Sequence, residues 1–153
     1  MHAMFRQWSI LLVLAGAFCA LPANAEESIV VSAVVGRYDD IRENLVFAIE
    51  GRGLVINNVA HVGDMLARTA ADIGKSKRIY GQAEVLEFCS AGISRTMMET
   101  DPHYIVYCPY TIAVYTLPDQ PDKVFLSYRP LPPGPGLDGP NKLLKEIMAD
   151  AQH

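Results

Sequence analysis

The sequence predicts a single compact α/β domain, α+β in character, with a mixed sheet, β-α-β units, a C-terminal hairpin and a terminal helix. Three observations carry that expectation. Short runs rich in β-branched residues alternate with segments whose apolar residues recur at helical spacing. Two apolar-rich runs late in the chain flank the turn-forming "PDQPDK". The final stretch, "NKLLKEIMADAQH", is amphipathic on Leu143, Leu144, Ile147 and Met148.

The first 25 residues are set apart from that domain. "MHAMFRQW" carries one positive charge, Arg6, and no acid; "SILLVLAGAFCAL" is an apolar run; Ala23-Asn24-Ala25 ends it with the small-x-small pattern of a secretory cleavage site. The run is shorter than the roughly 20 residues a bilayer span needs. Cleavage after Ala25 is expected, leaving residues 26–153 as one periplasmic or secreted domain. Phe18 precedes Cys19 where a lipoprotein signal has a small residue, so Cys19 is expected to leave with the signal.

Loss of Arg6 leaves 12 basic against 17 acidic side chains, a net charge of −5 where the whole chain carries −4. A mildly acidic surface is the wrong partner for nucleic acid, whose phosphates call for a basic patch. No basic amphipathic helix suggests a membrane-bound mature protein. A homo-oligomer, paired through an exposed edge of the hairpin, or a periplasmic redox partner are the associations expected.

The elements read in order as follows. "SIVVSAVVGRY" (28–38) is a strand. A helix follows, started by Asp39 or Asp40 with Glu43 in its first turn. It carries Ile41, Leu45, Ala48 and Ile49 on one face and stops at Gly51 or Gly53. "LVINNVAHV" (54–62) is the next strand, and "GDMLARTAADIG" a short helix ended by Gly74. After the polar "KSKRIYGQ" come the strand "AEVLEFC" (83–89) and a helix capped by Ser90 that ends before Pro102. "YIVYCP" is a continuous apolar run, expected as a buried strand. "YTIAVYTL" and "VFLSYRPL" form the hairpin, and the Pro/Gly-rich 131–140 links it to the last helix.

Two cysteines survive processing, Cys89 and Cys108. In an oxidising compartment an even pair is a disulfide by default. Each ends a predicted strand, and the helix between them makes a right-handed crossover between parallel neighbours. Both thiols then share the carboxyl rim, where open α/β sheets bind ligands. Strands about 4.8 Å apart permit a disulfide if the two are adjacent and exclude it if a third lies between.

His61 ends another predicted strand at the same rim, and Met65 lies four residues on, one helical turn away. Thiolate, thioether and imidazole together suit copper, and His with Met or Cys is an axial set for haem. The chain has no Cys-x-x-Cys-His, so covalent c-type haem is not expected. Three uses of the pair stay open. It is a structural disulfide or buried pair, a metal or haem site with His61 and Met65, or a thiol–disulfide exchange or sulfur-carrier centre.

Other features read as structure. Met97 and Met98 are expected to fill core, and His103 to be a surface or capping residue about 16 Å along an extended chain from Cys108. Ser94 lacks the flanking glycines of a hydrolase elbow. Glu84 and Glu87 are expected as one solvated and one rim-proximal carboxylate. No triad or paired-carboxylate centre appears.

The segment "EFCSA…MMETDPHYIVYCPYTIAVY", with the upstream "GLVINNVAHVGDML", resembles exported, paired-cysteine members of the domain-of-unknown-function 302 family. The likeness runs roughly from Ser28 to Arg129 and is most specific in "DPHYIVYCPYTIAVYT". It implies a small α/β fold and no activity, cofactor or catalytic residue. The function expected is therefore a non-catalytic binding or accessory protein of redox metabolism.

Overall fold

The computed structural model describes residues 29–153, so the expected signal segment lies outside the described residues. Strand β1 (Val30–Val35) leads into helix α1 (Tyr38–Glu50), then β2 (Val55–Ala60) and α2 (Val62–Thr69). Strand β3 (Ala83–Cys89) and helix α3 (Ala91–Thr100) follow. A 3-10 helix, Pro102–Tyr107, precedes the hairpin β4 (Tyr110–Leu117) and β5 (Gln120–Tyr128), and α4 (Asp138–Asp150) closes the chain.

The five strands form one sheet in the order β1-β5-β4-β3-β2, and every neighbouring pair is antiparallel. The expected single compact domain of α+β character is what the chain forms, and the expected mixed sheet with parallel β-α-β units is corrected to a wholly antiparallel one. The crossover after β3 is long enough to return the chain to either end of the sheet. The helix α3 and the 3-10 helix together bring it back to the end where β3 finished, so β4 runs in the opposite direction.

"YIVYCP" is not a strand. Pro102 sits in the first turn of the 3-10 helix, and Asp101 accepts a hydrogen bond from the His103 N–H at 2.9 Å. Proline at a helix start and an Asp cap are together a stronger local instruction than the apolar run. Its Ile105 and Val106 are 65% and 76% exposed. The hairpin turn is also tighter than expected: Leu117 pairs with Gln120 across Pro118-Asp119. The hairpin is not an edge either, since β4 and β5 have neighbours on both sides.

Alternation along the strands sorts the two faces. Leu86 and Phe88 of β3, Ile112 and Val114 of β4, and Val124 and Leu126 of β5 are fully buried against Leu45 and Ile49 of α1, Met97 of α3, and Leu144 and Ile147 of α4. Each such side chain contributes about 1.5–3 kcal/mol by leaving water. The 131–140 segment also packs: Leu131 and Leu137 are buried, and the Asn141 amide both accepts from the Leu131 N–H and donates to its carbonyl. On the opposite face Tyr115 stacks on Phe125 with centroids 5.4 Å apart, and Tyr80 meets Tyr115 edge-on. Helix α2 lies close against β3, since a Cβ on Gly63 would come within 2.9 Å of the Ala83 nitrogen. No helix of the described residues is long and apolar enough to cross a membrane.

Candidate functional site

Strand direction decides which candidate residues meet. Phe88 of β3 pairs with Tyr110 of β4, so Cys89, one residue later, and Cys108, two residues earlier, meet at one end of the sheet. The shared rim follows from an antiparallel return rather than from the expected parallel crossover. The Cys108 side chain and the Tyr110 backbone amide are the near neighbours that act on the Cys89 thiol. Both are half-buried thiols, and the Cys108-Pro109 peptide bond is cis.

The thiols sit in a neutral lining. The Ser94 hydroxyl lies 3.8 Å from Cys108 Sγ and 3.0 Å from the Tyr110 hydroxyl. Ser94 is 8% exposed and Tyr110 2%. Burial is the main cause that lifts the Cys89 thiol from 9.0 to about 11, helped by its hydrogen bond to Cys108 and the neighbouring sulfur's charge. The Tyr110 N–H pulls weakly the other way. Tyr110 is itself raised by burial, against the lowering effect of its bond to Ser94. Sequence reasoning passed over Ser94 and Tyr110 as site residues. The signal for Ser94 was its place four residues after the Ser90 cap, on the buried face of α3 with Met97.

His61 and Met65 do not join this site. Because β2 is antiparallel to β3, Val55 lies opposite Cys89 and Ala60 opposite Val85. His61, the next residue, is at the far end, roughly 16 Å along the strand from Cys89. Met65 follows it on α2 and is 42% exposed. The expected four-residue Cys/His/Met set for copper or haem is thus divided between two ends of the sheet. Among the described residues no three His, Cys, Asp or Glu side chains are grouped to hold a metal ion.

His61 has a different setting. Its Nδ1 lies 3.0 Å from Oε1 of Glu84, while Arg42 Nε donates to Oε2 at 2.5 Å. The Glu84 side chain is only 15% exposed, because position 84 is in phase with core residues 86 and 88 and lies under α1. The buried Tyr38 hydroxyl, one turn before Arg42, has no hydrogen-bond partner among the described residues. Its ionisation is pushed up by burial first and then by Glu84. Bonding to Glu84 raises Arg42, which keeps the guanidinium charged. The expectation that Glu84 is merely solvated or rim-proximal is corrected: it anchors one end of the sheet.

An all-antiparallel α+β sandwich of one sheet and one helical layer, carrying a dithiol at one sheet end, is the class that these observations define. The family model "Domain of unknown function DUF302" matches residues 30–133, and the chain belongs to that family. It is also similar to the crystal structure of an uncharacterised conserved DUF302 protein from Bacillus stearothermophilus. That likeness has 13% identity and a TM-score of 0.65, and covers 84% of this chain and all of the other. At that identity it shows the fold alone. No curated protein matches the chain.

Proposed function

We propose that this is an exported, non-catalytic binding domain whose Cys89–Cys108 dithiol captures a soft metal ion, Cu(I) being the best match. The observation that carries the reading is the contact between two half-buried thiols at one rim, inside a lining of Ser94 and Tyr110. Two adjacent sulfurs select soft ions over hard ones. Binding requires thiolates, so the ion must displace the proton that burial holds on Cys89. Affinity therefore rises with pH until both sulfurs are deprotonated.

The same proton retention disfavours thiol–disulfide exchange. An exchange centre needs a thiolate near neutral pH, and Cys89 is shifted in the other direction. A disulfide between the same sulfurs would remove both ligands, so the redox state of the compartment gates binding. The signal-like residues 1–25 support export, and an intact mass of the purified chain that begins at Glu26 is the expected outcome.

The test is a competition titration of the reduced chain with Cu(I) and a chelator of known affinity. One ion per chain is expected, with at least about a hundredfold loss in the Cys89→Ser/Cys108→Ser variant, an effect of the size that lost ligands and their partners cause. Equal affinity in the two proteins would overturn the reading. An accelerated, low-pH alkylation of Cys89 would instead favour the exchange role.

A further inference from the structure

None of the side chains of α2 is fully buried, although Gly63, Leu66, Ala67 and Ala70 form an apolar stripe at helical spacing. The stripe lines a cleft of about 280 Å³ instead of the core. Gly74, at a φ of 65°, turns the chain back after α2, and residues 76–80 form the other wall of that cleft. Tyr80 on this wall is set edge-on against Tyr115, and Ile79 beside it is 47% exposed.

The second wall is also cationic. Residues 68–78 hold four of the chain's 13 basic side chains, Arg68, Lys75, Lys77 and Arg78, but one of its 17 acids, Asp72. Among the described residues none of these four cations pairs with a carboxylate. Lys77 and Arg78 line the cleft. Arg78 is held by its own loop: its Nε donates to the Tyr80 carbonyl at 2.9 Å and one Nη to the Gly81 carbonyl at 2.8 Å. Those bonds occupy one edge of the guanidinium and leave the fork between its two Nη groups, which a planar carboxylate matches with paired hydrogen bonds.

The geometry points to this cleft as a binding site for a small amphipathic carboxylate, with its head on Arg78 and Lys77 and its hydrocarbon body along α2. Charge selects an anion, since unpaired cations gather here in a chain that is acidic elsewhere. The stripe selects a hydrocarbon body, because only an apolar group removes Leu66, Ala67 and Ala70 from water. The volume lies at the small end of ligand pockets, which sets a body of medium length. The described chain begins at Ile29, beside the strand at the other edge of the sheet and at its Cys89 end, so the cleft lies diagonally across the sheet from that start. The site is separate from the dithiol, which lies at the opposite end of β3.

The experiment is an amide NMR titration of the purified chain with octanoate, butyrate and 1-octanol. Octanoate is expected to give saturable shifts centred on residues 63–80. Butyrate binds at least about tenfold more weakly, since each buried methylene contributes up to about fourfold. Octanol, which lacks the charge, is also weaker by at least about tenfold, the effect of losing charge-assisted hydrogen bonds. Lys77→Gln and Arg78→Gln each weaken octanoate, Arg78→Gln by about tenfold. Ala67→Leu, at an exposed position that lines the cleft, fills it and also weakens binding. Lys142→Gln, which removes a 78% exposed cation on α4, leaves the affinity unchanged. Shifts that do not saturate, butyrate or octanol binding as tightly as octanoate, an unaltered affinity in Lys77→Gln and Ala67→Leu, or an equal loss in Lys142→Gln would each overturn the proposal.

Discussion

The two ends of strand β3 carry opposite kinds of chemistry. At its last residue, Cys89 contacts Cys108 in a lining of uncharged hydroxyls, and burial holds the proton on the sulfur. Five residues earlier, the Glu84 carboxyl lies between Arg42 and His61. One strand thus spans a neutral end that keeps protons and a charged end that consumes its charges internally. A half-buried carboxylate that accepts from Arg42 and faces His61 is satisfied, so the Glu84 end is organised as an anchor between α1, β2 and β3. A half-buried thiol pair has no such partner, so the Cys end is the one left with unused ligand capacity.

That contrast can be broken from either end. The largest effect is expected where the Cys end meets the core. Phe88→Ala, which removes a fully buried ring beside Tyr110, lowers stability by about 3–5 kcal/mol in urea unfolding. A loss below 1 kcal/mol would mean that this end is not built on packing. At the other end, Glu84→Ala leaves Arg42 without its anion, and about 1–3 kcal/mol is expected. An Ala variant with unchanged stability at neutral pH would remove the distinction between the ends.

The third prediction uses pH. The folded Cys89 thiol ionises at about 11 against 9.0 for an ordinary thiol. Between those values the native state binds the proton more tightly than the unfolded chain, so this contribution is complete below pH 9 and is lost as pH rises toward 11. Stability should therefore fall through that window, and Cys89→Ser should flatten part of the fall. The buried Tyr38, Tyr110 and Tyr128 are raised in the same direction and keep the remaining slope. A Cys89→Ser profile parallel to that of the parent would show that burial of the thiol has no energetic weight. The smallest effect is Tyr110→Phe, which deletes the hydroxyl bonded to Ser94 and should cost about 0.5–1.5 kcal/mol while the cysteine contact persists.

Much of this architecture was legible in the sequence, and the parts that were not share a physical cause. Ile41, Leu45, Ala48 and Ile49 of α1 and Leu143, Leu144, Ile147 and Met148 of α4 are all buried, as their spacing predicts. Strand direction was not legible, because it depends on pairing between residues as distant as Val30 and Tyr128, which no local pattern encodes. Reading β2 and β3 as running in the same direction set His61 at the wrong end and gave it Cys89 as a neighbour in place of Glu84. The apolar run at Ile105 and Val106 was misread since hydrophobicity alone does not separate a buried strand from an exposed helical turn. Glu84 did carry a usable signal: an acid in phase with Leu86 and Phe88 on one face of a strand must find a partner when that face is covered.

The central claim is that the functional ligands are the two sulfurs at one end of the sheet, with His61 and Met65 excluded by strand direction. X-ray absorption at the copper edge of the Cu(I)-loaded, reduced chain tests it most directly. The account predicts two sulfur scatterers and no imidazole signature, with a spectrum unchanged in His61→Ala/Met65→Leu. An imidazole nitrogen, a third sulfur, or a spectrum altered by that double variant would contradict it.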